Sequence, residues 1–309
     1  MQYNPSALLD RLCPRERHEW LETWGSRRSI RIIGLACAGM LLAYVAAGVL
    51  LWAFQSRLIF EPERTLHAAA ADFPFQVVEV AIPVGTRSSH PQTVSGWGIP
   101  SGQPGATVVL YLHGNDGNVT TSMSEIEPLR QLGYSVFVID YRGYGKSDAR
   151  FPSESSVYED AEAAWDYLVG ERGVSPGRLY IYGHSLGGAI AIELAMRHPE
   201  AAGLIVESSF TSIYDMAMLN RGYSLFPIKP FLNQRFDSIQ KVSRLRLPVL
   251  YLHGTDDEVV PISMGRRLFS ESGGVKSFVA IEGGRHGDNS AVGGPAFRAA
   301  IRSFVDRAG

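Results

Sequence analysis

The chain has 309 residues, 45% hydrophobic and 19% charged, the composition of an ordered globular protein and not of a disordered one. Its formal net charge of -2, with no Lys/Arg stripe interleaved with aromatics, argues against DNA or RNA as a partner. The only two cysteines, Cys13 and Cys37, rule out a disulfide within the large C-terminal part, and the scattered histidines lack zinc-ligand spacing, so no metal or other cofactor is expected.

In chain order, the first organising feature is residues 32–54, "IIGLACAGMLLAYVAAGVLLWAF". These are 23 residues without a charge, long enough as a helix to cross a bilayer. A buried core helix is usually shorter, and the apolar region of a cleaved signal peptide is shorter and begins nearer the N-terminus. The run therefore predicts a single transmembrane helix. Arg15, Arg17, Arg27, Arg28 and Arg31 precede it and only Arg57 and Arg64 follow closely, which predicts a cytoplasmic N-terminus and a large domain on the non-cytoplasmic side. Trp52 and Phe54 suit the far interface.

From about residue 73 onward, strand-like and helix-like runs alternate, the pattern of a mostly parallel sheet covered by helices. The predicted strands are 107–114, 134–141, 178–185, 203–209, 247–254 and 276–284, nearly continuous apolar runs that signal burial on both faces. Residues 156–173 read as an amphipathic helix, with Val157, Ala161, Ala164, Trp165 and Leu168 on one face and Gly173 ending it.

Chemistry in such sheets gathers at the carboxyl ends of the strands. There, Gly183-His184-Ser185-Leu186-Gly187 is G-x-S-x-G between a strand and a helix, a nucleophile elbow in which glycines relieve crowding around a sharply turned serine. The helix starting near Leu186 aims its N-terminal N–H groups at charge developing beside the serine. A passive serine in a glycine-rich turn is the plain alternative, and the test is whether an acid and a base follow in order. They do: Asp256 and Asp257 follow one strand in "LHGTDDEVVP", and His286 follows the last in "EGGRHGDN".

Together, "LYLHGNDGN", "DYRGYGKSD", "GHSLGG", "LHGTDDEVVP" and "GGRHGDN" resemble the α/β-hydrolase superfamily, and within it the membrane-anchored abhydrolase-domain serine hydrolases. The resemblance spans about residues 58–305 and implies an α/β-hydrolase fold, a mostly parallel twisted sheet flanked by helices with a short cap. It implies Ser185 as nucleophile, His286 as base and Asp257 as acid, with Asp256 the near rival and Glu207 the acid in relatives that take it from an earlier strand. It also implies an oxyanion hole from Asn115 and Leu186. His113 and His253 are expected to be hydrogen-bonded structural residues, and His184 is assigned no chemical role. "GYGKS" fails as a phosphate loop because Asp140 stands where glycine is needed, and the sequon at Asn118 is read as coincidental. Ser147-Asp148-Ala149 departs from the family's usual S-x-G and puts that loop's conformation in doubt.

The expected organisation is a cytoplasmic segment 1–31, a transmembrane helix 32–54, a linker 55–72 and a hydrolase domain 73–309 with its cap at 211–247. Ile213, Met216, Met218, Leu219, Tyr223, Leu225, Phe226, Ile228, Phe231 and Leu232 crowd the start of the cap. They either receive an apolar acyl group or seal the cap onto the sheet. The expected function is a cofactor-free, membrane-anchored serine hydrolase cleaving acyl esters or thioesters of small-molecule, lipid-like substrates. A serine peptidase or amidase with the same triad and an inactive membrane-tethered interaction protein are the alternatives.

Overall fold

A computed structural model describes residues 16–85, 91–220, 222 and 228–308. Residues 1–15 of the expected cytoplasmic segment, and Tyr223, Leu225 and Phe226 of the expected cap, lie outside them. The chain forms two compact units, residues 1–53 and 54–309.

The first unit is a helix, α1 (Glu16–Ile59), whose last turn belongs to the second unit. From Arg28 onward it is long and apolar enough to cross a membrane. Its large apolar side chains are bare: Leu35 is 74% exposed and Leu42 72%.

The second unit continues with β1 (Glu61–Pro62), β2 (Val78–Val84), β3 (Gln92–Ile99), β4 (Val108–Leu112), β5 (Asp116–Gly117), α2 (Met123–Gln131), β6 (Ser135–Asp140) and α3 (Glu154–Asp166). There follow β7 (Leu179–His184), α4 (Leu186–Arg197), β8 (Gly203–Glu207), α5 (Ile213–Met218), α6 (Ser238–Lys241), β9 (Val249–Gly254), α7 (Ile262–Glu271), β10 (Lys276–Ile281) and α8 (Asn289–Ala308). The main sheet runs β10-β9-β8-β7-β4-β6-β3-β2. Its six strands from β10 to β6 are parallel, and β3 and β2 are added antiparallel at one edge.

The parallel block is the set of six predicted strands; β4, β6, β7, β8 and β9 are buried on both faces as their apolar runs require, whereas β10, at the end of the sheet, buries only Ile281 fully. Along β4, Leu110 and Leu112 enter the core shared with Val157, Trp165 and Ile190, while Val109 and Tyr111 enter the opposite core with Ile126, Phe297 and Ile301. The edge pair was not among the predicted strands because β2 and β3 carry the pattern weakly. Val78 is exposed and Pro83 stands in β2, where only an edge strand tolerates it. The predicted helix appears as α3, started by Ser153, whose Oγ accepts the Ser156 N–H. Val157, Ala161, Ala164, Trp165 and Leu168 are all buried as expected.

One expectation needs correction. Residues 55–72, read as a linker, are built into the domain, because Gln55 and Phe60 are each 2% exposed and residues 61–62 form β1. Phe60 packs edge-on against Phe236, and Phe73 against Trp97, so the domain's packing begins well before residue 73. A buried amide and a buried phenyl cannot belong to a free tether.

Asp140, at the end of β6, is fully buried and accepts the Val119 N–H at 2.8 Å. Burial pushes its carboxyl from 3.8 up to about 7, and that of Asp160 up to about 6 in spite of Arg142. The folded chain thus holds protons that the unfolded chain releases near pH 4, which favours the fold in acid and ceases to as pH rises through about 7. Thermal melts should show Tm falling from about pH 5 to about pH 8, and Asp140→Asn should remove most of the fall above about pH 6. A wild-type Tm that rises over this range would contradict the assignment.

Candidate active site

The site is built where β7 turns into α4. Ser185 takes φ 53° and ψ −119°, a backbone state strained for any residue with a side chain. It is held there by its N–H, donated to Glu207 O at 2.9 Å, and by its carbonyl, which accepts from Gly188 N and Ser209 Oγ at 3.0 and 2.8 Å. Both flanking glycines are compulsory. A Cβ on Gly183 would lie 2.1 Å from Gly187 O, and one on Gly187 would lie 2.0 Å from Leu112 O.

Two further strand ends deliver the partners. From the loop after β10, His286 Nε2 lies 2.9 Å from Ser185 Oγ, and its Nδ1 lies 2.9 Å from Asp257 Oδ2 on the loop after β9. These partners fix the tautomer: Nδ1–H donates to the carboxylate, leaving Nε2 to accept from the serine hydroxyl. Burial alone would raise the Asp257 carboxyl, but hydrogen bonds from His253, His286 and the Val260 N–H together hold it well below the usual carboxylate range. It is therefore ionised whenever the site is working near neutrality.

The other two carboxylates considered as the acid do not meet His286. Asp256 is exposed and accepts from Thr255 Oγ1 at 3.0 Å. Glu207 is buried under the elbow, where Tyr182 and the Asn289 amide donate to it at 2.5 and 3.0 Å. His113 and His253 are buried, the first donating from Nδ1 to Gly114 O at 2.9 Å and the second from Nε2 to Val260 O at 2.8 Å. Asn118 is also buried and donates its amide to Thr65 O at 2.8 Å, an arrangement that leaves no room for a glycan. Ser147 and Asp148 give their loop a fixed shape: Ser147 Oγ bonds to Asp140 O at 2.6 Å, and Asp148 O accepts the Gly143 N–H at 2.7 Å.

His184 is the residue that the sequence reading passed over. Its Nε2–H donates to the His286 carbonyl at 2.8 Å, tying the end of β7 to the loop after β10. Its Nδ1 lies 3.8 Å from Glu125, which in turn accepts from the Tyr111 hydroxyl. Burial would lower the His184 pKa, but the carboxylates of Glu125 and Glu207 outweigh it and the net shift is upward.

Leu186 is the first residue of α4, so its N–H has no carbonyl one turn earlier in the helix. Asn115 lies in the loop after β4, beside Gly114, where a Cβ would come 3.5 Å from Ser185 Cβ. A cleft of about 450 Å³ opens here, lined by Glu61, Glu63, Asp116 and Glu125 together with Gly114 and His184. Among the cap apolars, Ile213 and Met216 pack on the core and Ile228 is buried, whereas Leu219 is 50% exposed. Among the described residues no group of His, Cys, Asp and Glu could hold a metal ion. The arrangement can deprotonate a hydroxyl, hold the resulting imidazolium and present N–H groups to a developing anion.

A family profile described as Serine aminopeptidase, S33 (Hydrolase_4) matches residues 102–240. The uncharacterized protein Rv2307c of Mycobacterium tuberculosis is 32% identical over 268 residues, covering 86% of this chain and 92% of that one. The alpha/beta hydrolase domain-containing protein WAV2 of Arabidopsis thaliana is 28% identical, covering 85% and 91%. Among solved structures, the Pyrococcus furiosus esterase Pf2001 superposes with a TM-score of 0.66 at 18% identity, covering 81% of this chain and 98% of that one. At that identity the likeness is one of fold.

Proposed function

We propose, for a chain that belongs to the α/β-hydrolase superfamily, that its hydrolase chemistry is that of a membrane-anchored serine hydrolase cleaving acyl ester or thioester bonds. The observation that carries this reading is the line of hydrogen bonds from Ser185 Oγ through His286 to Asp257, each step 2.9 Å at its shortest.

In the mechanism this geometry supports, His286 Nε2 takes the Ser185 proton as Oγ attacks the carbonyl carbon, and the carbonyl π pair moves onto oxygen. The N–H groups of Asn115 and Leu186 hold that oxyanion, each donor contributing on the order of 10²-fold to 10³-fold in rate. The intermediate collapses by expelling the alcohol or thiol, protonated by His286, and leaves an acyl-serine. Water, deprotonated by the same imidazole, repeats the attack and releases the acid and the free serine. Asp257, held ionised, orients Nδ1–H and offsets the imidazolium charge in both halves.

The anchor reading rests on the bare apolar helix from Arg28 onward, and its orientation on the five basic residues before the span against two after it. A second reading, a serine aminopeptidase or amidase, is favoured by one observation. The four carboxylates of the cleft that Gly114 and His184 line, next in sequence to Asn115 and Ser185, would attract the free ammonium group of a peptide.

Ser185→Ala should abolish both fluorophosphonate labelling and turnover, and Asp257→Asn should cost about 10⁴-fold in kcat. Asp256→Asn should leave kcat within about twofold, because its carboxylate does not face His286. Equal losses at the two aspartates would refute the choice of acid.

On a panel of acyl esters and aminoacyl amides, esters should turn over faster, with kcat/KM rising from two to about eight acyl carbons by at most about 0.8 kcal/mol per CH₂. Faster cleavage of aminoacyl amides would decide for the second reading. Protease added outside intact cells stripped of their wall should digest the large domain. Protection until the membrane is permeabilised would reverse the proposed topology.

A further inference from the structure

The loop that carries Asn115 is held by a segment distant in sequence, the stretch where the chain leaves the apolar helix. Asn115 Nδ2 donates to Ile59 O at 3.1 Å, and the Glu61 N–H donates to Asn115 O at 2.9 Å. Beside them β1 pairs in parallel with β5, Glu61 opposite Asp116 and Pro62 opposite Gly117. Farther along, Asn118 Nδ2 reaches Thr65 O at 2.8 Å and Glu63 O at 3.4 Å, and the His67 N–H donates to Thr120 Oγ1 at 3.2 Å.

The other end of this stretch is fixed as firmly. Gln55 Oε1 accepts the N–H groups of Asn233 and Gln234, each at 2.9 Å, and Gln55 Nε2 donates to Phe231 O at 3.0 Å. Phe60, between the two ends, is buried against Phe236. Each such bond contributes only about 1 kcal/mol to stability. Their joint effect is directional. With the Asn115 carbonyl pinned by Glu61 and by the Tyr144 hydroxyl at 2.6 Å, and its amide by Ile59, the backbone around residue 115 has little freedom to turn.

We infer that residues 55–67 are a brace that aims the Asn115 N–H at the oxyanion, so that the exit of the apolar helix is itself a positioning element of the active site. The inference rests on the serine-hydrolase reading above. An oxyanion donor works only when it lies about 3 Å from the place where charge develops, and misplacing one costs on the order of 10²-fold in kcat. Ground-state binding of the substrate does not depend on it.

The test uses the full-length protein, a water-soluble short-chain acyl ester and a thermal melt of each variant. Two glycines inserted between Phe60 and Glu61 should lower kcat by about 10²-fold with KM within about twofold. The same insertion between Ala53 and Phe54, ahead of the brace, should leave both as in wild type. Asn118→Asp keeps the oxygen that Thr120 bonds to but loses the amide donor facing Thr65 and Glu63, and should lower kcat at least about tenfold at unchanged KM. If the brace insertion fails to fold, Asn118→Asp decides by the same criteria. Folded variants whose kcat stays within about twofold of wild type, or whose loss lies in KM, would overturn the brace. So would equal losses from the two insertions. Full turnover in Ser185→Ala would instead remove the serine-hydrolase reading itself.

Discussion

The whole site depends on how closely two backbones approach at Ser185. The turn from β7 into α4 brings Gly187 against the carbonyls of Leu112 and His113, and Gly183 against Gly187 itself, at separations no Cβ could share. This contact pins the end of β7 to the end of β4, the neighbouring parallel strand. The cost of holding Ser185 at positive φ is of order 1–3 kcal/mol, offset by its N–H bond to the Glu207 carbonyl and by the bonds its own carbonyl accepts from Gly188 and Ser209. Because β4, β7, β8, β9 and β10 run in parallel, their carboxyl ends all arrive on one edge, and the loops carrying Asn115, Asp257 and His286 need only short reaches to meet the serine.

Beneath the elbow lies a layer of buried polar groups that is nearly fully paired. Glu207 accepts from Tyr182 and Asn289, and Asn289 also bonds to Ser208 Oγ at 3.0 Å, while the half-buried Glu125 at the layer's margin lies between Tyr111 and His184. Such groups are costly to bury singly and stiff when joined. They make a rigid floor under Ser185, while Asp257 above it is held by two backbone N–H groups, those of Val259 and Val260, as well as by histidines. Rigidity on both sides keeps the 2.9 Å contacts of His286 from depending on a mobile loop.

Much of this was legible in the sequence because it is written in local terms. Continuous apolar runs mark strands buried on both faces, and glycines two residues either side of a serine mark an elbow whatever the rest of the chain does. Asp257 and His286 stood out because each follows a strand end, and only the fold shows that Asp257 faces His286 while Asp256 turns to Thr255. What escaped was contact between distant segments. Gln55 looks like an ordinary polar residue after an apolar run, and nothing near it in sequence says that residues 231–234 will meet it. The edge strand β2 escaped for another reason: one face of it is in contact with solvent and its apolar period is diluted by Glu79 and Pro83.

The bond from His184 to residue 286 has an implication for how such sites vary among relatives. Its acceptor is a main-chain carbonyl, which every amino acid supplies. Position 184 is therefore constrained by a neighbour that need not change in response to it, and substitutions at the two positions would show no correlation. A structurally demanding residue can in this way sit at the variable letter of a well-known motif, because this half of its interaction is written in the backbone.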